Sequence, residues 1–165
     1  MGKGIEDVQQ LSKRYTVRRL TEKDVDRIYA LSAENPMFYR YCPPFVTKES
    51  ILDDMRALPP RTTYEDKYYI GFFEKETLVA IMDLILDYPT KDTAFIGLFM
   101  MDFEYQNKNI GSKIISECAK YLKILGFHKI RLGVDKENPQ SNAFWKKNGF
   151  IVADESEYII MELVL

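Results

Sequence analysis

Hydrophobic and polar positions follow two periods along the chain, and each change of period marks an element. Tyr15 to Leu20 reads as a short strand. Thr21 then stands as a helix cap with Asp24 as its capping-box partner, and Val25, Ile28, Tyr29 and Ser32 fall on one helical face. Asn35-Pro36 ends that helix, because the residue before proline is pushed out of the helical region. Met37 to Val46 keeps no period and reads as irregular and aromatic, with Phe38, Tyr39, Tyr41 and Phe45 around Pro43-Pro44. Thr47 caps a second helix whose Ile51, Leu52, Met55 and Leu58 share a face, and Pro59-Pro60 stops it. The pattern then turns to strands at Lys67 to Glu74, Leu78 to Asp87 and Thr93 to Met101. Their short links predict an antiparallel meander. The second and third are nearly unbroken apolar runs, as in strands covered on both faces.

Helical spacing returns in Gly111 to Leu125, with Ile114, Ile115, Cys118, Ala119, Leu122 and Leu125 inward. Gly126 is placed to end it, with Phe127 folding back on Leu122. Lys129 to Val134 reads as a strand. Asn138 and Pro139 open another helix as N-cap and first residue, and Gly149-Phe150 closes it. Ile151 to Ala153 and Tyr158 to Val164 form a final hairpin. The order β-α-α-β-β-β-α-β-α-β-β contains one strand–helix–strand unit. It predicts a mixed α/β fold with one parallel pair inside a mostly antiparallel sheet. The expected organisation is an N-terminal tail over 1–14 and a single domain over 15–165.

Composition narrows the function classes. A chain of 165 residues suits one domain able to bury roughly 70% of its unfolded surface. The net charge of −2 argues against a generally basic nucleic-acid binder. No run approaches the roughly 20 apolar residues of a membrane span. Met1 to Ser12 is polar, so no signal peptide is expected, and Glu6 breaks the myristoylation pattern at Gly2. Cys42 and Cys118 are isolated and read as reduced thiols of a cytoplasmic protein. The single His128 sits at a helix-to-strand joint with no clustered ligands, so no metal site is expected. No GxSxG elbow is present.

The chemistry concentrates in Met101 to Lys113, which joins a covered strand to a helix N-terminus. Unpaired N–H groups and the helix dipole make such a junction an anion site, and Lys108 and Lys113 add charge. The plainer alternative is a capped helix with solvated lysines. It is not a P-loop, since no glycine lies five positions before Gly111.

Gln106-x-x-Asn109-x-Gly111 resembles the Q/R-x-x-G-x-G/A loop of the GNAT superfamily of acyl-CoA-dependent N-acetyltransferases. Asn138-Pro139-x-Ser141-x-x-Phe144-Trp145-x-Lys147-x-Gly149-Phe150 is similar to that superfamily's second motif. The element order from Tyr15 to Leu165 agrees with the same fold. The resemblance implies a central parallel pair splayed for CoA, with helices on both faces of the sheet. It implies acetyl-CoA as co-substrate, its pyrophosphate wrapped by Gln106, Asn107, Lys108, Asn109, Ile110, Gly111 and Ser112. Pantetheine would lie between Leu98 to Met101 and Lys129 to Val134, bonded to backbone near Met101. Asn138 and Lys147 would lie on the cofactor side, and Met37 to Phe45 would line the acceptor pocket or form a lid packed for stability. Two positions depart from the family pattern. Asn109 replaces a glycine, and asparagine is the next residue most tolerant of left-handed backbone. Trp145 stands where many members carry a tyrosine thought to protonate the thiolate; indole cannot, so Trp145 should act by shape.

The implied activity is acetyl transfer to a primary amine by direct attack in a ternary complex. The rivals are a non-catalytic acyl-CoA sensor and an enzyme for a longer acyl-CoA. The acceptor is a small-molecule or peptide amine that the chain does not specify, and the resemblance also admits a homodimer. No nucleic-acid or membrane partner is expected. For the base, Asp83 interrupts the run Leu78 to Leu86, so it is paired, solvated by a cleft, or catalytic. Tyr88, at the following turn, is a second catalytic candidate. Gly97, in mid-strand, marks a bulge or a close backbone approach.

Overall fold

The computed structural model describes residues 4–165. Its strands are β1 (Thr16–Arg19), β2 (Lys67–Glu74), β3 (Thr77–Leu86), β4 (Thr93–Met101), β5 (Lys129–Asp135), β6 (Ile151–Glu155) and β7 (Tyr158–Val164). They form one sheet in the order β1-β2-β3-β4-β5-β7-β6. Among the described residues only β4 and β5 pair in parallel; the other pairings are antiparallel.

The expected caps form. Thr21 and Asp24 exchange both capping-box bonds on a short 3-10 turn that leads into α1 (Val25–Ala33). Asp24 also pairs with Arg18 at 2.8 Å. Thr47 and Ser50 do the same for α3 (Lys48–Arg56). One segment differs from expectation. Met37 to Val46 is not irregular throughout: Pro36–Tyr41 is a helix, α2, with Pro36 in its first turn. Proline ends the preceding helix yet loses nothing at the start of the next, where its missing N–H has no intrahelical partner.

α4 (Ile110–Leu125) ends at Gly126, whose φ of 99° lets the Phe127 N–H return to the Leu122 carbonyl at 3.0 Å. α4 covers one face of the sheet, where Ile114, Ile115, Cys118 and Leu122 meet Ile70, Phe72, Met82 and Leu84. On the other face Ile28, Leu31 and Ile51 of α1 and α3 meet Tyr69, Phe73, Ile81 and Met100. This double cover accounts for the apolar runs of β3 and β4. Residues 1–14, set apart as a tail at the sequence level, include core members: Ile5 and Leu11 are buried, and Glu117 of α4 accepts bonds from Ser12 and Lys13.

Two features of β4 position the site. Its parallel ladder with β5 spans Thr93–Ile96 against Lys129–Leu132 and then stops. Where it stops, β4 bulges against β3. Leu84 faces Ile96 and Asp83 faces Leu98, so Gly97 is the extra residue. Beyond that point β4 and β5 diverge.

Candidate functional site

A cavity of 360 Å³ opens at the divergence and continues into an inner cavity of 310 Å³. Phe38, Phe99, Asn138, Ser141 and Trp145 border both, so the two form one cleft.

Its outer end is the loop before α4. Asn107 and Asn109 have φ of 60° and 62°, the left-handed region that asparagine tolerates best after glycine. Asn109 occupies the N-cap position but does not cap; its Oδ1 instead accepts from Lys147 Nζ at 2.8 Å. The first-turn N–H groups of Ile110, Gly111 and Ser112 therefore find no acceptor in the Asn109 side chain, and the positive end of the helix dipole faces the cavity. Asn107, Asn109, Gly111, Ser112 and Lys147 line it. Lys108 and Ile110 do not: Lys108 is exposed and Ile110 packs on the core. Gly111 is small for a packing reason. A Cβ there would stand 3.1 Å from the Phe144 ring and 3.7 Å from Met101 Sδ.

Gln106 borders the cavity, but its side chain turns inward. Its Nε2 donates to Asn35 Oδ1 at 2.6 Å and to the Met101 carbonyl at 3.1 Å. Asn35 Nδ2 donates to the same carbonyl at 3.0 Å and to Leu31 O at 2.9 Å. The Met101 carbonyl thus has both lone pairs engaged, and α1, β4 and the loop are tied at one point. Sequence reading missed Asn35 because, before a proline, it looks like a helix stop and nothing more.

The wall of the cleft is the free edge of β4. The Asp102 N–H donates to Val79 O at 2.8 Å, which sets the phase of the β3–β4 ladder. By alternation Leu98 and Met100 turn their backbone groups to β3, while Phe99 and Met101 turn theirs to the gap. Facing them is α5 (Pro139–Lys147). Asn138 caps it, accepting from Ser141 N at 3.1 Å. Trp145 lies in an aromatic cluster with Phe99, Phe144 and Phe150 at centroid distances of 6.0, 4.9 and 5.0 Å.

The aromatic segment borders the cleft and also packs on itself. Phe38 borders both cavities and Tyr41 the inner one, while Tyr39 packs edge-on against Phe38 and Phe45. Cys42 also borders the inner cavity; burial pushes its thiol up, as it does the Cys118 thiol. Neither is set up as a thiolate nucleophile. Among the described residues no group of three or more His, Cys, Asp or Glu could hold a metal ion.

Asp83 and Tyr88 part company. The Tyr88 ring lies edge-on to Phe95 at 5.2 Å, and Tyr88 lines neither cavity. Asp83 is one layer behind the inner cavity. Its Oδ2 is 2.8 Å from Lys67 Nζ, and the two side chains are 15% and 4% exposed. Gly97 borders the inner cavity, and a Cβ on it would stand 3.4 Å from Asp83 Oδ2. Asp83 Oδ1 and the hydroxyl of its cross-strand neighbour Tyr69 are buried without a hydrogen-bond partner among the described residues. Burial lifts the Asp83 carboxyl above the usual range, and Lys67 opposes the lift. Asp54 is pushed up as well, by burial and then by Asp83. Burial raises the Tyr69 hydroxyl too.

Residues 19–150 match the model of the Acetyltransferase (GNAT) family. A spermidine N(1)-acetyltransferase of Thermoplasma acidophilum is 31% identical over 98 residues, which make up 59% of this chain and 59% of that protein. An N-acetyltransferase of the same organism, solved in complex with coenzyme A, has a TM-score of 0.69 at 24% identity, covering 90% of this chain and 98% of that one. An acetyltransferase from Thermus thermophilus has a TM-score of 0.78 at 19% identity, over 90% and 96% of the two chains. Spermidine N-acetyltransferase from Vibrio cholerae, solved with CoA and spermine, gives 0.67 at 18% identity, over 93% and 96%. At these identities the solved structures show a shared fold.

Proposed function

The chain belongs to the acetyltransferase (GNAT) family, and from that premise we propose that it moves an acetyl group from acetyl-CoA to a primary amine, with both bound at once. The observation that carries this reading is the continuity of the cleft. It begins at a helix N-terminus with no side-chain cap, follows the unpaired edge of β4, and ends at Gly97 in front of Asp83.

The residues present fit the cofactor: orphan N–H donors and Lys147 suit a diphosphate, and a bare strand edge suits a chain of amides. When bound, acetyl-CoA supplies an activated thioester. In this reading the N–H groups of Gly111 and Ser112 hold the diphosphate. The Phe99 backbone and the Met101 N–H orient the pantetheine arm and polarise the carbonyl. Trp145 and Phe144 pack the arm and exclude water. Asp83, whose Oδ2 lies nearest Gly97, receives the amine's proton across that residue; burial holds its carboxyl above the usual carboxylate range and so makes it a stronger base. The raised thiols of Cys42 and Cys118 favour direct attack over an acyl-enzyme. The curated relative acts, by its name, on spermidine, so a cationic amine is the proposed kind of acceptor.

The test is thiol release from acetyl-CoA across a panel of primary amines. Release is expected to depend on the amine, with one thiol freed per amine acetylated. A chain that binds CoA in calorimetry yet frees no thiol with any amine is a binding module. One that responds only to longer acyl-CoA is a different transferase.

The clamp on the Met101 carbonyl gives a separate prediction. Asn35→Ala removes two donated bonds and the acceptor for Gln106, and so frees the loop. CoA affinity measured by calorimetry is expected to fall roughly tenfold, with unfolding still cooperative. Unchanged affinity would detach the clamp from cofactor binding.

A further inference from the structure

The β4–β5 ladder ends at Ile96 opposite Leu132, and the next residue on each strand is glycine: Gly97 and Gly133. Both are exposed and both border the inner cavity. Gly97 is explained by the bulge and by Asp83 behind it. Gly133 has no such reason. Its φ is not positive, and a Cβ there would meet nothing nearer than Ile160 Cδ1 at 3.7 Å, an ordinary contact. Glycine weakens a strand interior and commonly marks a place where something approaches the backbone. Ile130, Leu132 and Val134 are buried in the core, so by alternation Arg131, Gly133 and Asp135 share the opposite face of β5. The space that a side chain at Gly133 would take is therefore space in the inner cavity.

Asp135 lies two residues further along that face and also borders the cavity, where it is the one charged residue among the described residues of the lining. Its Oδ1 accepts from Glu137 N at 2.9 Å, which fixes the carboxylate at the strand end. Phe38, Tyr41, Phe95 and Tyr158 supply aromatic faces around it. Aromatic walls with a single carboxylate favour a cation with an apolar stem. Two residues of extended strand span about 6.6 Å, close to the reach between the two nitrogens of an extended four-carbon diamine.

We propose that Gly133 and Asp135 select the acceptor. The bare backbone at Gly133 admits the amine-bearing chain, and Asp135 holds a second ammonium two strand residues from the reacting nitrogen. The preferred acceptor is then a short linear diamine rather than a monoamine. This rests on the acetyl-transfer reading above.

The full-length chain is assayed for thiol release from acetyl-CoA with 1,4-diaminobutane and with 1-aminobutane. The wild type is expected to favour the diamine in kcat/KM by roughly tenfold or more. Asp135→Asn keeps the acceptor for Glu137 N and removes the charge. It is expected to bring that ratio close to one, chiefly by raising the diamine KM. Gly133→Val is expected to raise the diamine KM by roughly tenfold or more, well beyond any change in CoA affinity measured by calorimetry; Gly133→Ala serves if the valine variant does not fold. Equal efficiency on the two amines, a ratio unmoved by Asp135→Asn, or an unchanged diamine KM in the Gly133 variant overturns the proposal. Acetylation of other amines but neither of these two overturns it while sparing the transfer reading. A failure of every amine tested to release thiol defeats the reading beneath.

Discussion

Asp83→Asn is expected to lower kcat by roughly 100-fold or more while CoA affinity stays in place. The amide keeps the shape of the carboxylate and can still accept from Lys67, but it cannot take a proton from the amine. The pH–rate profile gives the sharper readout. Burial holds the Asp83 carboxyl above the usual carboxylate range, with Lys67 opposing. As the base must be ionised to work, wild-type turnover climbs as pH rises through that raised value. In the variant this acidic limb should be gone. Asp83→Asn also leaves the Lys67 ammonium buried without a counter-charge, so turnover is counted per folded molecule. A variant that loses stability but keeps wild-type turnover on that basis makes Asp83 a structural partner of Lys67 and no base.

Lys67→Met is expected to produce the largest loss of stability, about 3–5 kcal/mol. Lys67 is 4% exposed and forms the ion pair that the structure gives Asp83, so its removal strands a carboxylate against the covered face of the sheet. The loss depends on pH, and its sign follows from the direction of the shift. Burial already raises the Asp83 pKa; without Lys67 it rises further. A carboxyl whose folded pKa exceeds its unfolded value stabilises most below the unfolded pKa, and that stability is lost as pH rises through the folded one. The penalty should therefore be small near about pH 4 and complete once the raised pKa is passed. Urea unfolding midpoints across that range measure it. A penalty larger in acid than at neutral pH contradicts the assignment. Lys67→Met combined with Asp83→Leu should recover most of the loss, since an apolar pair of similar volume removes both buried charges.

Local chemistry explains how much of this was legible in the sequence. Thr21, Thr47, Asn138 and Gly126 act through neighbours within a few positions, and each does in the structure what its spacing predicts. Gly97 was readable as a bulge because a glycine interrupts a strand. Long-range partners were not readable. Lys67 meets Asp83 only once the β2–β3 register sets Tyr69 opposite Asp83, which puts Lys67 on the same face. Asn35 reaches Met101 across the fold, and nothing beside it in the chain announces that. Lys108, singled out for its charge and loop position, is exposed and does not line the cavity, beside the turn residues Asn107 and Asn109. Gly111 has a long-range partner as well: a side chain there would meet the Phe144 ring, far along the chain. Gly133 escaped notice because a lone glycine in a strand carries no signal until the end of the ladder is known.

The short parallel ladder has a mechanical consequence. Two hairpin-built halves, β1 to β4 and β5 to β7, are sewn together by four residue pairs. Among the interior pairings of the sheet that seam is the shortest, and its inner end is already unstitched at Gly97 and Gly133. A molecule lying along the free edges of both strands takes the place of the missing stitches. Whatever fills the gap therefore also splints the C-terminal half to the rest, and the rigidity of β5 to β7 becomes a property of the loaded protein more than of the empty one.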